Sequence, residues 1–181
     1  MNPLRRTCAA AAVMVAVAGC GGGDPVPTAA TTPVQPRSAA CVPAPYVAPS
    51  PAAGAVDLKT KPVITLAERP PPCKLDISDL VVGKGAAARS GQQVSMQYVG
   101  VTYADGRQFD ASWDRGAEPF AFTLGGRQVI RGWDDGIVGM KVGGRRQLVI
   151  PPDFGYGEQG RPPAIAGGAT LVFIVDLVAV G

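Results

Sequence analysis

Side chains able to carry covalent chemistry are scarce in this chain. Its 181 residues include no histidine, which removes Ser-His-Asp and Cys-His nucleophile systems and any His-based zinc or haem site. The four cysteines, Cys8, Cys20, Cys41 and Cys73, form no C-x-x-C pair, so dithiol redox chemistry is not expected. Neither a metal nor a cofactor is expected. Seventeen Lys and Arg against fourteen Asp and Glu leave a net charge of +3, too weak and diffuse for nucleic-acid binding. What remains is an aromatic-rich stretch, since ten of the eleven aromatic residues lie between Tyr98 and Phe173. By spacing alone, Trp133 and the phenylalanines read as core. Asp110 reads as a turn carboxylate that caps a turn or pairs with Arg115, and Tyr156 as a loop phenol packed for its area.

The elements that must position these residues follow from pattern. Leu75–Val82 and Gln93–Val99 alternate and are rich in β-formers, which predicts strands. Tyr103–Phe109 predicts a hairpin with Asp105-Gly106 as its turn, and Phe120–Phe122 a short strand. Over Arg127–Met140, Val129, Ile130, Trp133, Ile137 and Met140 recur at spacings of three and four, the single apolar stripe of a helix. Gly143-Gly144 ends it. Arg146–Ile150 predicts a strand, and Pro151–Gly168 a long Gly- and Pro-rich loop leading into a final strand, Leu171–Val180. Many strands with one short helix give an α+β domain, an antiparallel sheet packed on one helix, over residues 73–181. That domain is neutral, with eleven basic and eleven acidic side chains.

The first 72 residues have a different character. Arg5 and Arg6 precede seventeen uncharged residues, Thr7–Gly23, rich in Ala and Val. This run is short for a spanning helix and fits the basic n-region and apolar h-region of a signal peptide. Its end, Val17-Ala18-Gly19-Cys20, resembles the lipobox of bacterial lipoproteins. That resemblance implies cleavage after residue 19, acylation of Cys20, and a lipid anchor on a membrane of the bacterial cell envelope. Residues 20–72 hold twelve of the eighteen prolines and one aromatic residue, Tyr46. Such a segment cannot bury enough surface to offset its ordering entropy, so a disordered tether is expected, with Val63–Leu66 as a short strand at most. Cys41 and Cys73 are left over. In an exported protein they either pair with each other, stay free, or bond to a cysteine of another protein.

Within the domain, Tyr98-Val99-Gly100, Phe109-Asp110, Val129-Ile130-Arg131-Gly132-Trp133, Pro152-Asp153-Phe154-Gly155-Tyr156-Gly157 and Ala169-Thr170-Leu171-Val172-Phe173 stand in a distinctive order. In that order and approximate spacing they resemble the FKBP-type peptidyl-prolyl cis-trans isomerases, from about Leu75 to Val180. The resemblance implies a bent antiparallel sheet wrapped around a short helix. It also implies a pocket with Trp133 as its floor and Tyr98, Phe109, Phe120 and Phe173 as aromatic walls. Val129 and Ile130 would line one side, with Ala164 and Ile165 on a flap. Asp110 and Tyr156 would point polar groups inward, and the Ile130 N–H would serve as a donor to a substrate carbonyl.

The activity so implied suits a chain poor in nucleophiles, because rotation about an X–Pro bond makes and breaks no covalent bond. The implied partners are proline-containing unfolded or partly folded polypeptides, with macrolides as inhibitors. The expected role is folding of exported proteins. A chaperone that holds proline-containing segments with little turnover is the alternative. Three positions depart from the family pattern: Arg161, where several members carry His; Ala164, where a bulkier aliphatic residue is common; and Gln128, where Glu is common. No long helical arm is available for dimerisation, so a monomer is expected.

Overall fold

The computed structural model describes residues 41–43 and 57–181. The expected signal peptide, Cys20 and most of the expected tether lie outside the described residues. The C-terminal region forms one antiparallel sheet of six strands: β1 (Asp76–Val81), β2 (Gln93–Thr102), β3 (Gln108–Ala111), β4 (Phe120–Thr123), β5 (Arg145–Ile150) and β6 (Leu171–Val180). The strand order is β1-β5-β6-β2-β3, and β4 also pairs with β2. The two short strands share one edge of β2, β4 taking Gln93–Met96 and β3 taking Val99–Val101. Register shifts interrupt the ladders near Asp79, Ser95 and Gly100, the kind of irregularity that bends a strand and raises its twist.

The side chains of β2, β5 and β6 alternate between two cores. Val94, Met96 and Tyr98 of β2, Leu148 and Ile150 of β5, and Leu171, Phe173, Val175 and Leu177 of β6 form one buried cluster with the helix residues. The helix α1, Arg131–Gly136, is only six residues long, shorter than the Arg127–Met140 expected from the apolar stripe. Arg127 has φ 55° and Gly125 φ 76°, and the Asp134 carboxylate accepts hydrogen bonds from the N–H groups of both, at 3.1 and 2.8 Å. The chain before Ile130 is therefore a loop tied down by the helix's own side chain. At the other end Gly139 is left-handed, with φ 79°. The stripe still points inward, because Trp133, Ile137 and Met140 join the cluster whether or not their backbone is helical. Two helix glycines face the sheet. A Cβ on Gly132 would come within 2.6 Å of the Ile150 side chain, and one on Gly136 within 2.8 Å of Leu148.

The second core lies on the opposite face and corrects the expected domain boundary. Val99, Val101, Tyr103, Ala111, Val149 and Val172 are buried there, with Ile64, Leu66 and Trp113 packed against them. Residues 57–72, expected to belong to the tether, thus cover the back of the sheet. Val63–Leu66 forms no strand, but its apolar side chains do the covering. Polar contacts hold the segment as well. The Tyr103 hydroxyl donates to the Arg69 carbonyl at 3.0 Å, and Lys61 pairs with Asp114 at 2.5 Å. Beneath it, Arg145 and Asp176 stand opposite each other on β5 and β6 and form a bidentate pair at 2.5 and 2.7 Å. Arg145 is fully buried, and its guanidinium also donates to the Thr60 carbonyl at 3.1 Å. A buried charge needs this degree of pairing to be tolerated. At the end of the segment, Cys41 and Cys73 form a disulfide. It sits beside a bridge in which the Val42 N–H donates to the Pro71 carbonyl and the Cys73 N–H to the Val42 carbonyl.

The sequence could not reveal this cover, because two apolar residues in a proline-rich stretch carry no periodic signal. Its removal should be costly. A chain beginning at residue 73 is expected to be less stable than one beginning at residue 57 by about 2–4 kcal/mol, from re-exposing Ile64, Leu66 and the core they shield. Equilibrium urea unfolding of the two chains checks this, and equal midpoints would contradict it.

Candidate functional site

The residues named from sequence converge on one cavity of about 520 Å³ on the helix side of the sheet. Tyr98 comes from β2, Phe109 and Asp110 from β3, Phe120 from β4, and Phe173 from β6. Val129 and Ile130 lie directly before α1, Ile130 in an extended conformation, and Trp133 in its first turn. Tyr156, Ala164 and Ile165 come from the loop between β5 and β6. All eleven side chains line the cavity. So do Gln128 and Arg161, noted in the sequence as departures from the family pattern, and Pro162 and Pro163, which the sequence left within the long loop.

The aromatic residues pack mostly edge to face. The Trp133 ring stands 5.2 Å from Tyr98 at 82° and 5.3 Å from Phe173 at 85°. Phe109 meets Phe173 at 5.4 Å and 80°, and Phe120 lies 6.4 Å from Trp133. Each such pair adds roughly 0.5–1.5 kcal/mol beyond its area, so the walls support one another. Gly100 permits the approach of two of them, since a Cβ there would fall 2.7 Å from both the Phe109 and the Phe173 ring. Trp133, Tyr98 and Phe173 are buried, while Phe120 is 41% exposed and forms an open rim.

The polar groups divide into committed and uncommitted ones. The Tyr98 hydroxyl donates to Asp110 Oδ2 at 2.5 Å, and Arg115 donates to the Tyr98 oxygen at 2.7 Å and to Asp110 Oδ1. Partial burial works to raise the Asp110 carboxyl, but the hydrogen bonds from Tyr98 and Arg115 outweigh it and hold the group below its ordinary value. Burial and the bond to Asp110 push the Tyr98 phenol up. Asp110 therefore stays a carboxylate at neutral pH, and Arg115, which the sequence offered only as a turn partner, completes a closed ring of three. Ser112 anchors this ring from behind. It is fully buried, its oxygen accepts from the Tyr98 N–H at 2.8 Å, and its hydroxyl donates to Gln97.

The N–H of Ile130 has no acceptor among the described residues. Ile130 precedes the helix with φ −61° and ψ 148°, and first-turn N–H groups lack intrahelical partners by construction. The Tyr156 hydroxyl is likewise without a hydrogen-bond partner among the described residues. The flap is well tied. Arg161 and Ile165 exchange backbone hydrogen bonds at 2.8 and 3.0 Å, and the Arg107 guanidinium donates to the Ala164 carbonyl at 2.8 Å. Arg107 gave no sign of this in the sequence, because the contact joins a hairpin turn to a loop 57 residues away. The site is thus an aromatic-walled slot in which the Ile130 N–H, the Tyr156 hydroxyl, the buried Trp133 indole N–H and the Arg161 guanidinium have no partner among the described residues. It can bind a compact apolar group and steer an adjacent carbonyl; it holds no nucleophile–base pair.

Comparison with known proteins agrees with this geometry. Residues 84–178 match the FKBP-type peptidyl-prolyl cis-trans isomerase family. An FK506-binding protein of Streptomyces anulatus is 51% identical over 121 residues, covering 66% of this chain and 97% of that protein. Among solved structures, AtFKBP13 superposes with a TM-score of 0.55 at 36% identity, covering 59% of this chain and 93% of its own. Escherichia coli FkpA gives a TM-score of 0.54 at 42% identity, covering 59% of this chain and 47% of that one. With the family matched over more than half the chain and an aromatic slot built where its motifs converge, this chain belongs to the FKBP-type peptidyl-prolyl cis-trans isomerases.

Proposed function

We propose that this isomerase accelerates X–Pro rotation during the folding of exported proteins, working as a monomer from a lipid anchor in the bacterial cell envelope. The observation that carries the catalytic part is the aromatic slot floored by Trp133 with the uncommitted Ile130 N–H at its edge. The planar amide owes its barrier to resonance that charges the oxygen and stiffens C–N. At a 90° twist that resonance is lost and the group is less polar. An apolar slot therefore favours the twisted state over the planar one, which is binding directed at the transition state. The Ile130 N–H would hold a substrate carbonyl while the prolyl ring lies on Trp133. A gain of ~10⁴–10⁵ in rate requires about 5–7 kcal/mol, within reach of slot shape plus one or two hydrogen bonds. The same slot is proposed to accept FK506-type macrolides, as the name of the Streptomyces relative, an FK506-binding protein, suggests for that protein.

Export rests on two independent supports. The Arg5-Arg6 pair, the apolar run and Cys20 read as a lipoprotein signal, and the Cys41–Cys73 disulfide suits an oxidising compartment.

Three outcomes follow. Because Ile130 already has a proline-like φ, Ile130→Pro removes its N–H with little backbone cost. It should lower kcat/KM on an X–Pro peptide roughly 10-fold beyond Ile130→Ala, the worth of a hydrogen bond of about 1–1.5 kcal/mol; equal losses would remove the N–H from the mechanism. With Asp110 held low and Tyr98 raised, neither group titrates near neutrality. The kcat/KM profile should therefore be flat from about pH 6 to 9, falling only as acid protonates Asp110 below the usual carboxylate range. A bell centred near neutrality would contradict that assignment. Mass spectrometry of the mature protein should find an acylated N-terminus at Cys20, and an unmodified start elsewhere would refute the anchor.

A further inference from the structure

We infer that Arg161 gives the pocket a charge preference, favouring X–Pro segments that carry a carboxylate side chain next to the proline. This deepens the isomerase reading and rests on it.

Two charged residues line the cavity, Asp110 and Arg161. The charge of Asp110 is already answered by Arg115 and by the Tyr98 hydroxyl. Gln128, the neutral polar residue on the same rim, has its side-chain oxygen engaged by the Thr123 N–H at 2.8 Å. Arg161 differs from both. Its side chain is exposed and has no ion pair or hydrogen-bond partner among the described residues. Its backbone, by contrast, is fixed by the paired bonds to Ile165, and Pro162-Pro163 directly after it restrict the chain further. The loop tip beyond is tied by Arg107 to the Ala164 carbonyl. A solvent-exposed cation with no protein partner among the described residues is therefore held on a braced edge of an otherwise apolar slot. A proline ring on Trp133 would fill the floor, so the residues flanking that proline are the ones presented to the rim. A carboxylate there gains a partner, and an ammonium there meets a like charge.

The test uses the full chain and two blocked peptide series, Ala-Xaa-Pro-Phe and Ala-Leu-Pro-Xaa, with Xaa as Glu, Gln or Lys. The readout is the Glu-to-Lys ratio of kcat/KM within one protein preparation, which cancels any change in the fraction folded. In at least one series the unmutated protein should prefer Glu over Lys by about three- to tenfold at low salt. The preference should shrink toward unity near 1 M salt, where the screening length is about 3 Å. Arg161→Lys should keep its direction, and Arg161→Glu should reverse it. A ratio that is the same in the unmutated protein and in Arg161→Glu, in both series, would overturn the inference while leaving the isomerase intact. A protein that accelerates no peptide at all would overturn the activity and this inference with it.

Discussion

Trp133 meets Tyr98 and Phe173 edge-on at just over 5 Å, 5.2 and 5.3 Å between ring centres, and the working part of the molecule depends on that packing. A six-residue helix has no stability of its own in water. What holds α1 in place is close approach to β5, which Gly132 and Gly136 permit by leaving room for Ile150 and Leu148. The approach seats the indole in the first core cluster and presents its surroundings as the floor of the cavity. Val129 and Ile130 then have to enter the helix from the cavity side, and this leaves the Ile130 N–H unspent at its edge. Floor, side wall and donor are thus consequences of one packing contact between two glycines and a strand.

Around that floor, polarity is arranged so that little of it reaches the slot uncompensated. Asp110, Tyr98 and Arg115 satisfy one another, and Ser112 braces the ring through β2. A carboxylate in an apolar site would otherwise be forced toward its neutral form by desolvation. Here its partners keep it ionised without leaving it free to disturb the slot. The flap follows the other course: the paired Arg161–Ile165 backbone bonds and the Arg107 latch hold it, while the Arg161 side chain has no partner among the described residues.

The opposite face of the sheet shows why the domain extends beyond its motifs. Val99, Val101, Val149 and Val172 need cover, and a buried guanidinium at Arg145 needs acceptors. Residues 57–72 provide both. They also reach the segment that carries the polar ring, since Lys61 pairs with Asp114, the residue before Arg115. The disulfide between Cys41 and Cys73 closes the chain at the end of this cover.

Most of the strands were legible in the sequence because alternation is a local, period-two signal. The two long strands and β5 appeared within a few residues of their expected ends, as did all the residues of the aromatic slot, whose ordered motifs carried the family resemblance. The helix was overextended for a physical reason: an apolar stripe reports which side chains face the core, not whether the backbone between them is helical. The left-handed Arg127 and Gly139 decide that; a carboxylate seven residues away holds the first, and the Ala88 carbonyl accepts from the N–H of the second. The cover over the back face, the latch from Arg107 and the ring completed by Arg115 were hidden or left open. Composition, periodicity and motif order determined by themselves that the C-terminal part builds an antiparallel sheet around an apolar pocket and that no histidine-based nucleophile system is available. Tertiary structure alone decided which polar groups are spent and which are left to act, because that depends on contacts between residues far apart in the chain.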